Sequence, residues 1–238
     1  MAIRVPSSDS EITDIRSTIW SVSAAHFPRT RVLPRNATAV RILDAALTTF
    51  ASRGVGATSL DAVAVAAGCT KQTLLHHYGS KDGLLDAVLL AVAGELAEAV
   101  DAGLSRPEGE WERLDAVIRA VFRLAARRPE LLSLVREVGR LGAPFVERLS
   151  GSLEILSERA TAFLRVGVTR GVFRPHDPRL VLLSAYSSVV AAATEVETLR
   201  QLGVTPSVRI LVRRRRALSD ELRAILAEPS GVALNRAG

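Results

Sequence analysis

Residues 36 to 90 contain three short apolar-striped segments in close succession, each ending at a glycine, and this pattern constrains the fold more than any other feature of the chain. In the first, Leu43, Leu47 and Phe50 form one stripe with Ile42 and Ala46 beside it, and Gly54 follows as a C-cap would. In the second, Thr58 is placed to cap the helix, with Asp61 three residues on as a short capping-box partner, while Leu60, Val63 and Ala67 face inward. Gly68 then supplies the turn of Ala67-Gly68-Cys69. The third segment runs from Thr70 to about His77 and buries Leu74 and Tyr78 at i and i+4, and Ser80 opens a fourth helix.

That third helix leaves Lys71, Gln72, Thr73 and His76 or His77 on its outer face. A short helix with a polar, hydrogen-bonding exterior is what the major groove of DNA admits and reads. The chain has two lysines, Lys71 and Lys81, and each stands one residue after an expected N-cap, Thr70 and Ser80. A helix start there also offers backbone N–H groups to a phosphate. Upstream, Ile12, Ile15, Ile19 and Val22 recur at helical spacing before Pro28 and Pro34, consistent with a short amphipathic helix or with a frayed tail. Arg29, Arg31 and Arg35 form a small basic arm that suits either a phosphate backbone or a solvated linker.

The stretch RILDAALTTFASRGVGATSLDAVAVAAGCTKQTLLHHYGSKDGLLDAVL, residues 41 to 89, resembles the DNA-binding domain of TetR-family transcriptional regulators over about fifty consecutive positions. The resemblance implies that the helix carrying TKQTLLHHY enters the major groove, that Thr58 and Lys81 bind flanking phosphates, and that the protein works as a homodimer on a pseudo-palindromic operator. It further implies a second, helical domain holding a small-molecule effector. Where the family usually carries tyrosine this chain has Leu75, and where it carries another aromatic this chain has His77. Leu75 is suited to a thymine methyl and His77 to the phosphate contact. The expected DNA-binding set is therefore Thr58, Thr70, Lys71, Gln72, Thr73, Leu75, His76, His77 and Lys81.

Beyond residue 90 the pattern is helical throughout, with no strand-like alternation. Breaks at 103–109, at Pro129, at 139–144, at 171–178 and at 203–206 leave five helices after the one that Ser80 opens. The expected architecture is all-α: an extension over 1–34, a helix-turn-helix domain over 35–83, an effector-binding and dimerisation domain over 84–228, and a tail over 229–238. GVFRPHDPRL, residues 171 to 180, is similar to the loop before the penultimate helix of many relatives, with Asp177 as N-cap and Pro178 at N1. The resemblance places the dimer interface on the last two helices, about 178–202 and 206–227. Ala185, Ala191, Ala192 and Ala193 permit close helix approach there. Trp111, Phe122, Phe145, Phe163 and Tyr186 are the candidate lining of an effector site for an apolar or amphipathic small molecule, though most such aromatics serve as core.

Other signals have plainer readings. Arg213 to Arg216 cover more than a helical turn and cannot share one face, so they read as solvated or as interface pairs for Glu195 and Glu197. Gly54-Val55-Gly56 follows a helix, where a dinucleotide fingerprint must follow a strand. His76 and His77 diverge by about 100 degrees on a helix, so no metal site is expected, nor any cofactor. No local serine, histidine and carboxylate set suggests catalysis, and an enzyme or ligand carrier that retains the head is the competing reading. Lone Cys69 forms no internal disulfide, and the longest uncharged run, about 15 residues from Leu180 to Thr194, falls short of the roughly 20 that span a bilayer. A cytoplasmic regulator, most simply a repressor, is the expectation.

Overall fold

A computed structural model describes residues 37–106, 109–143, 145–194 and 208–228. The described residues form α1 (Ala37–Arg53), α2 (Leu60–Ala66), α3 (Lys71–Tyr78), α4 (Lys81–Leu104), α5 (Glu110–Arg127), α6 (Pro129–Leu141), α7 (Phe145–Thr169), α8 (Pro178–Thr194) and α9 (Val208–Leu226). No strand occurs among them. The candidate helix before Pro28, the basic arm, Glu195, Glu197 and the tail lie outside the described residues, as does the stretch between α8 and α9. None of the described helices is long and apolar enough to cross a membrane.

Two apolar cores organise the molecule. The first gathers Ile42, Leu47 and Phe50 of α1, Val63 of α2, Leu74 of α3, and Leu84, Leu85 and Leu89 of α4, all 3% exposed or less. It then continues into Leu131, Leu134, Val135 and Val138 of α6 and Leu149 of α7. The expected boundary between residues 83 and 84 thus falls inside α4 and inside this core. The second core joins Leu114, Ile118 and Phe122 of α5, Leu164 of α7, Phe173, Val181 of α8, and Leu218, Leu222 and Leu226 of α9. Truncating one such leucine to alanine costs about 2–5 kcal/mol, which is a large share of any domain's stability.

α4 ties the two regions together. Its 24 residues span about 36 Å at the usual rise per residue, from the head core at Leu84 to Gly103 beside α5. At Gly103 a Cβ would stand 2.6 Å from the Val117 backbone nitrogen, so only glycine lets α4 and α5 touch backbone to backbone. After α7, the turn at 170–174 reaches the end of α9, where the Arg174 amide donates to the Leu226 carbonyl at 2.8 Å. That contact satisfies one of the orphan carbonyls of a helix C-terminus. Asp177 caps α8 as its position before Pro178 suggested, its Oδ1 accepting from the Arg179 amide at 2.9 Å.

Candidate nucleic-acid interface

The turn before α2 differs from expectation. Ser59, not Thr58, is the N-cap: its Oγ accepts from the Ala62 amide at 3.1 Å. Thr58 is 2% exposed and its hydroxyl donates back to the Gly54 carbonyl at 2.8 Å. Two adjacent hydroxyl residues satisfy the same cap pattern, and the one whose oxygen has a partner in the preceding turn goes inward. As folded, the Thr58 hydroxyl is not presented to a flanking phosphate. Its place is to pin the turn that positions Ser59.

α3 is set by the cap Thr70, whose Oγ1 accepts from the Thr73 amide at 3.1 Å and lies 2.9 Å from the Thr73 hydroxyl. Gly68 holds the preceding turn at a φ of 62°, a left-handed conformation that a β-carbon would strain. Leu74 is fully buried and anchors the helix. Tyr78 is half-buried and donates its hydroxyl to the Ala39 carbonyl at 3.0 Å, and burial raises its phenol above the ordinary pKa. Thr70, Lys71, Gln72 and His76 are exposed, and Thr73, Leu75 and His77 are half-covered. The helix therefore has one sealed face and one polar face.

Both lysines are occupied. Lys71 Nζ lies 2.8 Å from Asp61 Oδ2 across the helix-turn-helix, with the two side chains 50% and 65% exposed. Such a surface pair is worth no more than about 1 kcal/mol, so an incoming phosphate competes with Asp61 easily. Lys81 Nζ donates to the Gly56 carbonyl at 3.1 Å, bracing the α1–α2 loop against the start of α4. Ser80 caps α4 by accepting from the Gly83 amide at 3.0 Å. Asp61, expected as a capping-box partner, is instead a tertiary partner ten residues away, and nothing in local spacing marks it.

Sequence reasoning also missed Arg128. Its guanidinium reaches three carboxylates on three helices: Asp44 of α1 at 2.8 Å, Glu95 of α4 at 2.6 Å and Glu130 of α6 at 3.1 Å. Burial raises the Glu95 pKa, and the opposing pull of Arg128 does not fully offset it. This fork fastens the first head helix to the body. Arg148 of α7 adds a second fastening, 3.4 Å from Asp82 and 3.6 Å from Asp86 in the opening turns of α4.

The candidate effector aromatics do not converge on one site. Trp111 and Phe163 both meet Phe173 edge-on, with ring centroids 4.8 and 5.9 Å apart, and Phe122 belongs to the same core. Phe145 packs against the first core instead, and Tyr186 is 42% exposed on α8. Among the described residues no group of three His, Cys, Asp or Glu side chains converges to hold a metal.

The pattern of the family described as bacterial regulatory proteins, tetR family, matches residues 42–88, which run from α1 into α4. The chain is 28% identical to the HTH-type transcriptional regulator RutR of Escherichia coli over 151 residues, covering 62% of this chain and 69% of that protein. It is 30% identical to the HTH-type transcriptional regulator AlkX of Mycobacterium tuberculosis over 122 residues, 47% of this chain and 58% of that one. Among solved structures, FadR of Bacillus subtilis in complex with stearoyl-CoA superposes with a TM-score of 0.67 at 19% identity, covering 77% of this chain and 96% of that chain. That last likeness is one of fold.

Proposed function

The chain belongs to the tetR family of bacterial regulatory proteins and is a DNA-binding transcriptional regulator, and we propose that it is a homodimeric repressor whose two α3 helices read a pseudo-palindromic operator until a small apolar or amphipathic effector releases it. The observation that carries this reading is the two-faced α3: Leu74 fully sealed inward, and Thr70, Lys71, Gln72 and His76 exposed on the other side. On this assignment Gln72 and His76 read base edges, Leu75 packs on a thymine methyl, and Thr73 and His77 contact the groove wall. Thr70, Lys71 and Lys81 hold phosphates, Lys71 exchanging Asp61 for a phosphate oxygen.

The dimer reading is supported by α8. Leu180 and Leu183, one turn apart, are 63% and 59% exposed, and Tyr186 continues the stripe at 42%. Large apolar side chains exposed in a row mark a contact surface. Release follows from the shared architecture. α4 is one rigid rod from head to body, and Arg128 locks α1 to it, so a ligand that tilts α4 in the body reorients the whole head. Such a ligand weakens operator binding by the same factor by which DNA weakens its own binding. The ligand in the FadR structure, stearoyl-CoA, is an amphipathic molecule of the class proposed here.

The test is binding-site selection from random duplexes with the purified full chain, followed by anisotropy titrations across salt. A two-half-site sequence bound by a dimer, with log K falling by about 0.9 per log salt for each phosphate contacted, is the expected result. Selection that yields no common sequence, or a flat salt dependence, overturns the reading.

A further inference from the structure

A polar cleft of about 320 Å³ lies between α5 and α9, lined by Asp115, Arg215, Arg216, Ser219, Asp220 and Arg223. The five α9 residues recur at i, i+1, i+4, i+5 and i+8, so they share one face over two turns. The run of four arginines thus divides, with Arg215 and Arg216 turned to this cleft. Arg223 is held there from two sides, 2.5 Å from Asp115 Oδ2 and with its guanidinium carbon 5.5 Å from the Trp111 ring centroid. Arg215 and Arg216 have no ion pair or hydrogen bond among the described residues. Between them and Arg223 sits Ser219, only 9% exposed, whose Oγ is buried with no hydrogen-bond partner. A mid-helix serine ordinarily bonds back to a carbonyl in the preceding turn, so an idle buried hydroxyl beside two unpaired guanidiniums is unexplained by the fold alone.

We propose that this cleft is a binding site for the phosphate group of a small molecule. Guanidinium forks match phosphate oxygens in pairs, and the Ser219 hydroxyl supplies a further donor to an acceptor-rich group. Asp115 and Asp220 set the selectivity. Asp115 is already matched by Arg223, while Asp220 on the rim repels a polyanion such as a nucleic-acid backbone and accepts from a hydroxyl on the carrier of the phosphate. The volume suits a small ester, at the lower end of ordinary ligand sites. The cleft opens between α5 and α9, whereas the exposed apolar stripe lies on α8, so the site is built within one protomer and does not depend on the operator or effector readings.

Calorimetric titration of the full chain at constant ionic strength tests it, with inorganic phosphate and glycerol 3-phosphate as probes and chloride as the control anion. Saturable binding of at least one probe is expected. Tighter binding of the ester assigns a phosphorylated metabolite as the source, and equal or tighter binding of the inorganic ion assigns free phosphate. Arg215→Gln together with Arg216→Gln should lower the affinity at least about tenfold, since two charge-assisted bonds are lost. Ser219→Ala, which removes one buried oxygen without loss of fold, should weaken it several-fold and keeps the test sound should the double variant fail to fold. Arg140→Gln, on a side chain 72% exposed in α6, should change nothing. No saturable heat with either probe, or wild-type affinity in both cleft variants, overturns the proposal.

Discussion

The head and the body use their charges in opposite ways. In the body, arginines serve as braces between helices: Arg159 of α7 pairs with Asp101 of α4, Arg170 after α7 with Glu110 of α5, and Arg223 of α9 with Asp115 of α5. In the head, the exposed face of α3 carries Gln72 and His76 free of any such brace, and its one cation, Lys71, holds only a weak surface pair with Asp61. A basic side chain is structural where a carboxylate from another helix meets it under cover, and available for a ligand where the pair lies open to solvent, as Lys71 and Asp61 do. The head is therefore organised to present polar groups on α3, and the body, outside the cleft between α5 and α9, to consume them.

The contrast breaks most severely if the body is not a dimerisation module. Leu183→Glu places a carboxylate on a residue 59% exposed in the protomer, so the fold should survive. At an interface the buried, unpaired charge costs several kcal/mol. Sedimentation should find folded monomers, and operator affinity should fall more than about a hundredfold, because one half-site supplies only part of the binding energy. A variant that remains dimeric removes α8 from the interface.

A smaller effect is expected at the joint between the two regions. Arg128→Ala strands Glu95, Asp44 and Glu130, and the Arg128 side chain is 31% exposed, which places the loss between that of surface and buried pairs, at about 2 kcal/mol in urea unfolding. If the fork also transmits effector binding, the variant should bind operator while responding less to effector. Unchanged stability together with an unchanged response would make the fork incidental.

The smallest effect concerns a brace alone. Burial acts to raise the Glu110 carboxyl pKa, but hydrogen bonds from Arg170 and from the backbone amide at the start of α5, together with the charges of Arg170 and Arg113, hold it below its ordinary 4.5. A carboxyl with a depressed folded pKa stabilises fully above its unfolded value and loses that contribution as pH falls through the folded one. The gap in thermal midpoint between wild type and Glu110→Gln should therefore be widest above the ordinary carboxylate range and narrow as pH falls below 4.5. A gap independent of pH would mean that the pair contributes nothing through charge.

Local chemistry made the head legible. Thr70, Ser80 and Gly68 act through partners within three or four residues, so spacing alone located α3 and the start of α4. Thr58 shows where that logic stops: only a carbonyl in the preceding turn decides between it and Ser59. The Lys71–Asp61 pair and the links from Arg128 to Glu95 and Asp44 join residues 10 to 84 positions apart, and nothing in the local sequence marks them. The aromatics of the body divided between two cores for the same reason. Helical periodicity shows that Trp111, Phe145 and Phe163 face inward, but not which core receives each, and Phe173, the ring that Trp111 and Phe163 both meet, sits in a turn that periodicity does not cover.

The central claim is that the outer face of α3 reads sequence while Lys81 only holds the backbone. Its most direct test is one titration set: wild type, Gln72→Ala and Lys81→Ala against the selected operator and against unrelated duplex, over a range of salt. Gln72→Ala should cost about 1–3 kcal/mol on the operator and relax preference at one base position, leaving non-specific binding intact, whereas Lys81→Ala should weaken both duplexes alike and lower the salt slope by about one contact. If both substitutions merely shift the salt curve and leave the ratio of specific to non-specific affinity unchanged, α3 does not read the operator through this face.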